Sequence, residues 1–101
     1  MSDRELTIAL EEGFDHRHVV VLVDGRVVLD DPDVSTRHQI GLARSVRVAL
    51  PEGDHFVGVR LDGSDRLDLR IDTAAIRSVR VSVTADGGVH AVAGGDLPGY
   101  L

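Results

Sequence analysis

His18-Val19-Val20-Val21-Leu22-Val23-Asp24-Gly25-Arg26-Val27-Val28-Leu29-Asp30 reads as two strand-forming runs around a turn. Asp-Gly tolerates the two positive φ values of a type I′ turn, so the stretch is a β-hairpin. With Asp24-Gly25 as the loop, Leu22 pairs with Val27 and Val20 with Leu29, giving one continuous apolar face. The opposite face carries Val19, Val21, Val23 and Val28, broken by Arg26 and Asp30. A hairpin apolar on both sides needs two covers, while a small domain has one core. Either the chain itself supplies the second cover, from the loop after Asp31 or from Leu97 to Leu101, or the face is an interface. The interface reading assigns Val19, Val21, Val23 and Val28 to contact with a protein partner or a second copy, and an edge position would favour a dimer by strand addition.

Outward from this hairpin the apolar residues keep a period of two, and Val is the commonest residue, so strands dominate. Leu6, Ile8 and Leu10 alternate with Thr7 and Ala9 ahead of Gly13, and Val46, Val48 and Leu50 alternate up to Pro51-Glu52-Gly53-Asp54. The chain returns through Val57, Val59 and Leu61. A three-residue turn at Gly63-Ser64-Asp65 would set Leu61 opposite Leu67, Val59 opposite Leu69, Arg60 opposite Asp68 and Asp62 opposite Arg66. Val79, Val81 and Val83 form another strand, and Asp86-Gly87-Gly88 turns it into Val89 to Ala93. Asp31-Pro32-Asp33 predicts a loop to about Thr36, followed by a short strand at His38 to Ile40. The reading is all-β, a single antiparallel two-sheet β-sandwich of about eight strands over residues 1–101, with 94–101 a C-terminal tail. No internal repeat is evident.

The length of 101 residues suits one domain, and its 43% apolar content supplies a core. With no Cys there is no disulfide framework and no thiolate zinc site, and with no Lys there is no Schiff-base chemistry. A net charge of −6 disfavours nucleic acid and acidic membrane as partners. The polar N-terminus and short apolar runs predict a cytoplasmic protein. The serines lack an elbow motif, no phosphate-binding glycine loop occurs, and neither a catalytic residue nor a cofactor is assigned.

His16-Arg17-His18 is the one spacing that resembles a metal site, because residues i and i+2 of a strand point the same way. It is similar to the H-x-H of the cupin family, without that family's acid at the matching distance or its second motif. A metal- or small-ligand-binding alternative therefore uses His16 and His18, with His38 or His90 as a third ligand. Val23-Asp24-Gly25, with Leu50-Pro51-Glu52-Gly53-Asp54-His55 followed by Val57 and Val59, resembles the small bacterial β-sandwich modules of the PEGA and carboxypeptidase-regulatory-like kind, of the immunoglobulin-like topology class. The resemblance implies a non-catalytic interaction or scaffold module. Transthyretin-like hydrolases share the size but end in Y-R-G-S, where this chain has Pro98-Gly99-Tyr100-Leu101.

Overall fold

The computed structural model describes residues 3–37 and 39–95. Its elements are β1 (Arg4–Leu10), β2 (Arg17–Val23), β3 (Arg26–Val34), β4 (Arg44–Leu50), β5 (Asp54–Leu61), β6 (Ser64–Asp72), β7 (Ser78–Val83) and β8 (Val89–Gly94). They form two four-stranded sheets, sheet A in the order β4-β1-β7-β8 and sheet B in the order β3-β2-β5-β6. Sheet A is mixed, because β1 and β7 run parallel, so the all-antiparallel expectation is corrected. Alternate residues of both sheets, including Leu6, Ile8 and Leu10 of β1 and Val57, Val59 and Leu61 of β5, meet in one hydrophobic cluster. Among the described residues no helix is long and apolar enough to cross a membrane.

The apolar face that enters the core is the reverse of the expected one. Val19, Val21 and Val23 are buried, whereas Val20 and Leu22 are half-buried and Val27 is exposed. The neighbour decides: Val19, Val21 and Val23 lie opposite Leu61, Val59 and Val57, and the other side of β5 carries Arg60. Turning β2 over would set Val19, Val21 and Val23 on the side of Gly58 and Arg60 and leave only Val20 and Leu22 for the core, out of step with Val57, Val59 and Leu61. A bulge at Val28 completes the inversion. Leu22 pairs with Val27 as expected, but Leu29 then faces Val21 rather than Val20. Val28, the extra residue, packs half-buried against the core cluster. The proposed interface residues Val19, Val21 and Val23 are therefore core residues.

The second hairpin repeats the first. Asp24 and Gly25 have φ of 52° and 78°, and Asp62 and Gly63 have 51° and 85°, so both turns close on two residues. The three-residue turn expected at Gly63-Ser64-Asp65 is replaced by this tighter one. A bulge at Arg66 follows, and Arg60 faces Asp65 while Val59 faces Leu67 and Gly58 faces Asp68. Val28 and Arg66 stand at the same distance from their turns.

The likeness extends upstream and reveals an internal duplication that the sequence reading missed. Ala9-Leu10-Glu11-Glu12-Gly13 matches Ala49-Leu50-Pro51-Glu52-Gly53, and Val19, Val21, Asp24-Gly25 and Leu29-Asp30 match Val57, Val59, Asp62-Gly63 and Leu67-Asp68. Phe14-Asp15 is the extra pair in the first copy. The unit β1-β2-β3 is thus repeated as β4-β5-β6. The copies pair antiparallel in both sheets, centred on Thr7 opposite Arg47 and Val21 opposite Val59, two residues that each face their own equivalent. Such pairing is what a local twofold produces. Each loop after the first strand is pinned alike by a buried threonine: Thr36 Oγ1 donates to Glu11 O (2.6 Å) and accepts from Phe14 N–H, and Thr73 Oγ1 donates to Pro51 O (3.0 Å) and accepts from Gly53 N–H. β7 and β8 stand outside the repeat.

Smaller differences follow from edges and pairing. β3 continues through Asp31-Pro32-Asp33 to Val34, where a loop was expected, because an edge strand accepts a proline that has no donor to give. Gln39 and Ile40 lie in a turn closed by the Arg37–Leu42 bridge, while His38 falls outside the described residues. Gly94 ends β8 rather than opening a tail, and the covering role considered for Leu97 to Leu101 concerns residues outside the described ones.

Candidate functional site

The repeat places two equivalent clasps at opposite ends of the β2–β5 pairing. At one end Asp62 N–H donates to His18 O (2.8 Å), Asp62 Oδ1 accepts from His18 N–H (3.1 Å), and Asp62 Oδ2 accepts from Arg17 Nε (2.6 Å). At the other end Asp24 N–H donates to Phe56 O (2.8 Å), Asp24 Oδ1 accepts from Phe56 N–H (2.9 Å), and Asp24 Oδ2 meets His55 Nδ1 at 2.6 Å. Each turn aspartate therefore grips the strand of the other copy, and the residue just before the gripped amide supplies the cation. Hydrogen bonds from these partners hold both carboxyls below the usual carboxylate range.

The cations differ. A guanidinium is a permanent cation, whereas an imidazole gains or loses its charge near neutral pH. His55 is 8% exposed, and its Nε2 lies 2.7 Å from Pro51 O, so both ring nitrogens face acceptors. That arrangement needs both ring protons. The hydrogen bond to Asp24, then that to the Pro51 carbonyl, raises the His55 pKa above its ordinary value against a smaller opposing effect of burial. In sequence the clasps leave only a repeated Asp-Gly and a basic residue at the start of β2 and of β5, which does not say which aspartate meets which cation.

The outer face of sheet B is where the copies diverge. Val27 is 54% and Phe56 53% exposed, and Leu22, between Val27 and Gly58, is half-buried. Leu22 lies opposite Val27 on one side and Gly58 on the other. A groove of ≈ 570 Å³ runs over Gly58, walled by Leu22 and Phe56, with Arg60 and Asp68 on its rim. Gly58 has no positive φ, and a Cβ there would meet Leu67 O at 3.6 Å and Leu22 Cβ at 3.9 Å, ordinary contacts. Neither backbone nor space demands glycine; its effect is to leave the dent. The equivalent residue of the first copy is Val20.

The histidine pair does not converge. His16 Nδ1 meets Asp33 at 2.8 Å and His18 Nε2 meets Asp30 at 2.6 Å, each on its own carboxylate. His16 sits at φ 50° ahead of β2, which takes it out of the strand alternation that the i, i+2 reading assumed. The Asp33 hydrogen bond raises the His16 pKa. His90 lies on β8 of the other sheet, and among the described residues no group of three His, Cys, Asp or Glu is placed to hold a metal ion.

Comparisons with family models, with curated proteins and with solved structures give no match to this chain.

Proposed function

We propose that this chain is a non-catalytic interaction module of β-sandwich form, which self-associates through the outer face of sheet B. The observation that carries the reading is the dent at Gly58, a glycine under no conformational demand in mid-strand, walled by Leu22 and Phe56, with Val27 exposed on the far side of Leu22. A strand glycine of this kind marks close approach by another group. The rim carries both signs, Arg60 and Asp68, so a twofold-related copy sets unlike charges across the junction. The expected logic of a two-sided apolar hairpin is kept, with the surface moved from Val19, Val21 and Val23 to Leu22 and Val27. The resemblance to PEGA and carboxypeptidase-regulatory-like modules points to the same class of role.

Sedimentation velocity of wild type, Phe56→Asp and Gly58→Val tests it. The wild type is expected to associate reversibly, and both variants to sediment as monomers with unchanged circular dichroism. Gly58→Val fills the dent with the side chain that the equivalent position already bears, so loss of association there reports the surface rather than the fold. A wild type that stays monomeric to about millimolar concentration, near the weak limit of specific association, overturns the proposal.

A further inference from the structure

The duplication makes a prediction about its own edges. On the open side of β1 lies β7, paired through Thr7–Ser78, Ile8–Val79, Ala9–Arg80 and Leu10–Val81. On the equivalent side of β4 lies no strand among the described residues, since β4 is the edge of sheet A. Equivalent positions record the difference. Ala9 is 0% exposed and Ala49, the same residue in the second copy, is exposed. Ile8 is fully buried and its equivalent Val48 is half-buried. A Cβ on Gly13 would lie 1.9 Å from Val83 O, because β7 runs past it, whereas a Cβ on Gly53 would meet nothing within 4 Å.

This edge, unpaired among the described residues, opens on a cleft of ≈ 430 Å³ between β4 and β3, floored by Val28, Val48 and Leu50. It narrows at the other end, where Arg44 reaches Asp31 at 3.6 Å. Backbone donors face it as well. Thr7 N–H donates to Arg77 O beside β7 (3.0 Å), so Thr7–Arg47 is a non-hydrogen-bonded pair of the antiparallel ladder. The Arg47 N–H, its equivalent, accordingly points away from β1 into the open edge.

We propose that β4 is an acceptor for an extended segment of a partner protein, which adds parallel to β4 as β7 adds to β1. The occupant is specified by its filled counterpart: alternate β-branched apolar residues toward Val48 and Leu50, as Val79 and Val81 lie toward Ile8 and Leu10. One chemical difference sets the choice of partner. The position of Ser78 opposite Thr7 becomes a position opposite Arg47, an exposed cation, so an acidic residue is favoured there. This surface is separate from the outer face of sheet B and does not depend on self-association there.

The experiment titrates the intact chain with two synthetic peptides of the sequence Arg77 to Thr84, one unchanged and one carrying Ser78→Glu, and follows backbone amides by NMR. Shifts at Ser45 to Ala49 are expected to saturate, with the acidic peptide bound on the order of tenfold more tightly. Arg47→Glu is expected to invert that preference. Arg47→Pro removes the outward donor without touching the ladder to β1, and is expected to abolish binding while the spectrum stays folded. Absence of shifts up to about millimolar peptide, shifts confined to the region of Phe56, or a preference indifferent to Arg47→Glu would overturn the proposal. Association of the chain that survives Phe56→Asp and is lost in Arg47→Pro would seat a second copy in the slot and overturn the partner-strand assignment. Binding that persists in Phe56→Asp, with wild type monomeric throughout, would support the acceptor edge while removing self-association through sheet B.

Discussion

β1-β2-β3 and β4-β5-β6 are copies of one unit, yet the first is enclosed and the second is open. Arg80 of β7 lies beside Ala9, and its guanidinium binds the largely buried Glu11 carboxylate at 2.9 Å. In the second copy Ala49 faces solvent and Glu11 is replaced by Pro51, which has no N–H to offer a neighbouring strand at that point. The comparison separates what the unit needs to fold from what its surroundings add. Alternating valines, the Asp-Gly turn, the bulge and the threonine pin are present in both copies. Cover of the first strand, and a titratable rather than permanent cation, are not.

The largest effect that would sharpen this contrast comes from one substitution made at the two equivalent alanines. Ala9→Leu must fit a larger side chain into a fully enclosed position beside Arg80, and overpacking of that kind costs about 1–3 kcal/mol. Ala49→Leu meets open space and is expected to change stability by less than about 0.5 kcal/mol. Urea unfolding of both variants measures the gap. Equal losses would show that the edge of β4 is as closed as that of β1.

Next in size is the pH response of the two clasps. The His55 pKa is raised above 6.5, so its clasp contributes fully below that value and is lost as pH rises through the folded-state pKa. Asp24 and Asp62 are lowered from 3.8, so both clasps weaken together as pH falls through their folded values. On the alkaline side only the His55 end fails, because the other clasp is built on a guanidinium, a permanent cation. The melting temperature is expected to fall by roughly 3–6 °C between about pH 6 and pH 9, the size of a sub-kilocalorie to one-kilocalorie loss in a domain of this length. His55→Arg, which copies the other clasp, is expected to flatten the slope. Asp24→Asn keeps a turn pair suited to type I′ geometry but removes the charge, and is expected to flatten it too. Calorimetry of the three proteins across that range decides the matter, and a slope unchanged in both variants would assign the pH dependence elsewhere, the exposed His16–Asp33 pair being the first alternative.

The sequence was legible where the physics is local. Asp24-Gly25 and Asp86-Gly87 announce turns by the φ values they tolerate, and the period of two located the body of the eight strands, although β3 runs on to Val34 and β5 begins at Asp54, beyond the ends it marked, and Gln39 and Ile40 lie in a turn rather than a short strand. It was illegible where a distant neighbour decides. Which face of Val19 to Val23 is buried depends on β5, whose Leu61, Val59 and Val57 lie opposite Val19, Val21 and Val23 and share the core with them. The bulges at Val28 and Arg66 leave no periodic trace, since one added residue merely shifts the pattern that follows. A three-residue turn at Gly63-Ser64-Asp65 would set Arg60 opposite Asp68, whereas the second Asp-Gly closes on two residues and gives Arg60 to Asp65 at 2.7 Å. The duplication was masked by the Phe14-Asp15 insertion and by divergence on the solvent side, where Leu22 and Val27 of one copy correspond to Arg60 and Asp65 of the other. Neither clasp can be read without knowing that Asp24 meets His55 and Asp62 meets Arg17.

The smallest effect concerns that divergence. Gly58 is the one position where the central pair of strands lacks the side chain its equivalent, Val20, supplies. A strand-interior glycine gives up packing and chain entropy, so Gly58→Val is expected to stabilise the monomer by about 0.5–1 kcal/mol, since the added Cβ meets only ordinary contacts. The same substitution is expected to abolish association through the groove. A gain in stability joined to a loss of binding would mean that the dent is kept for the surface it makes at the expense of the fold. A loss of stability would instead mean that Leu22 and Leu67 already need the space, and the asymmetry between the copies would then be a packing matter rather than a docking one.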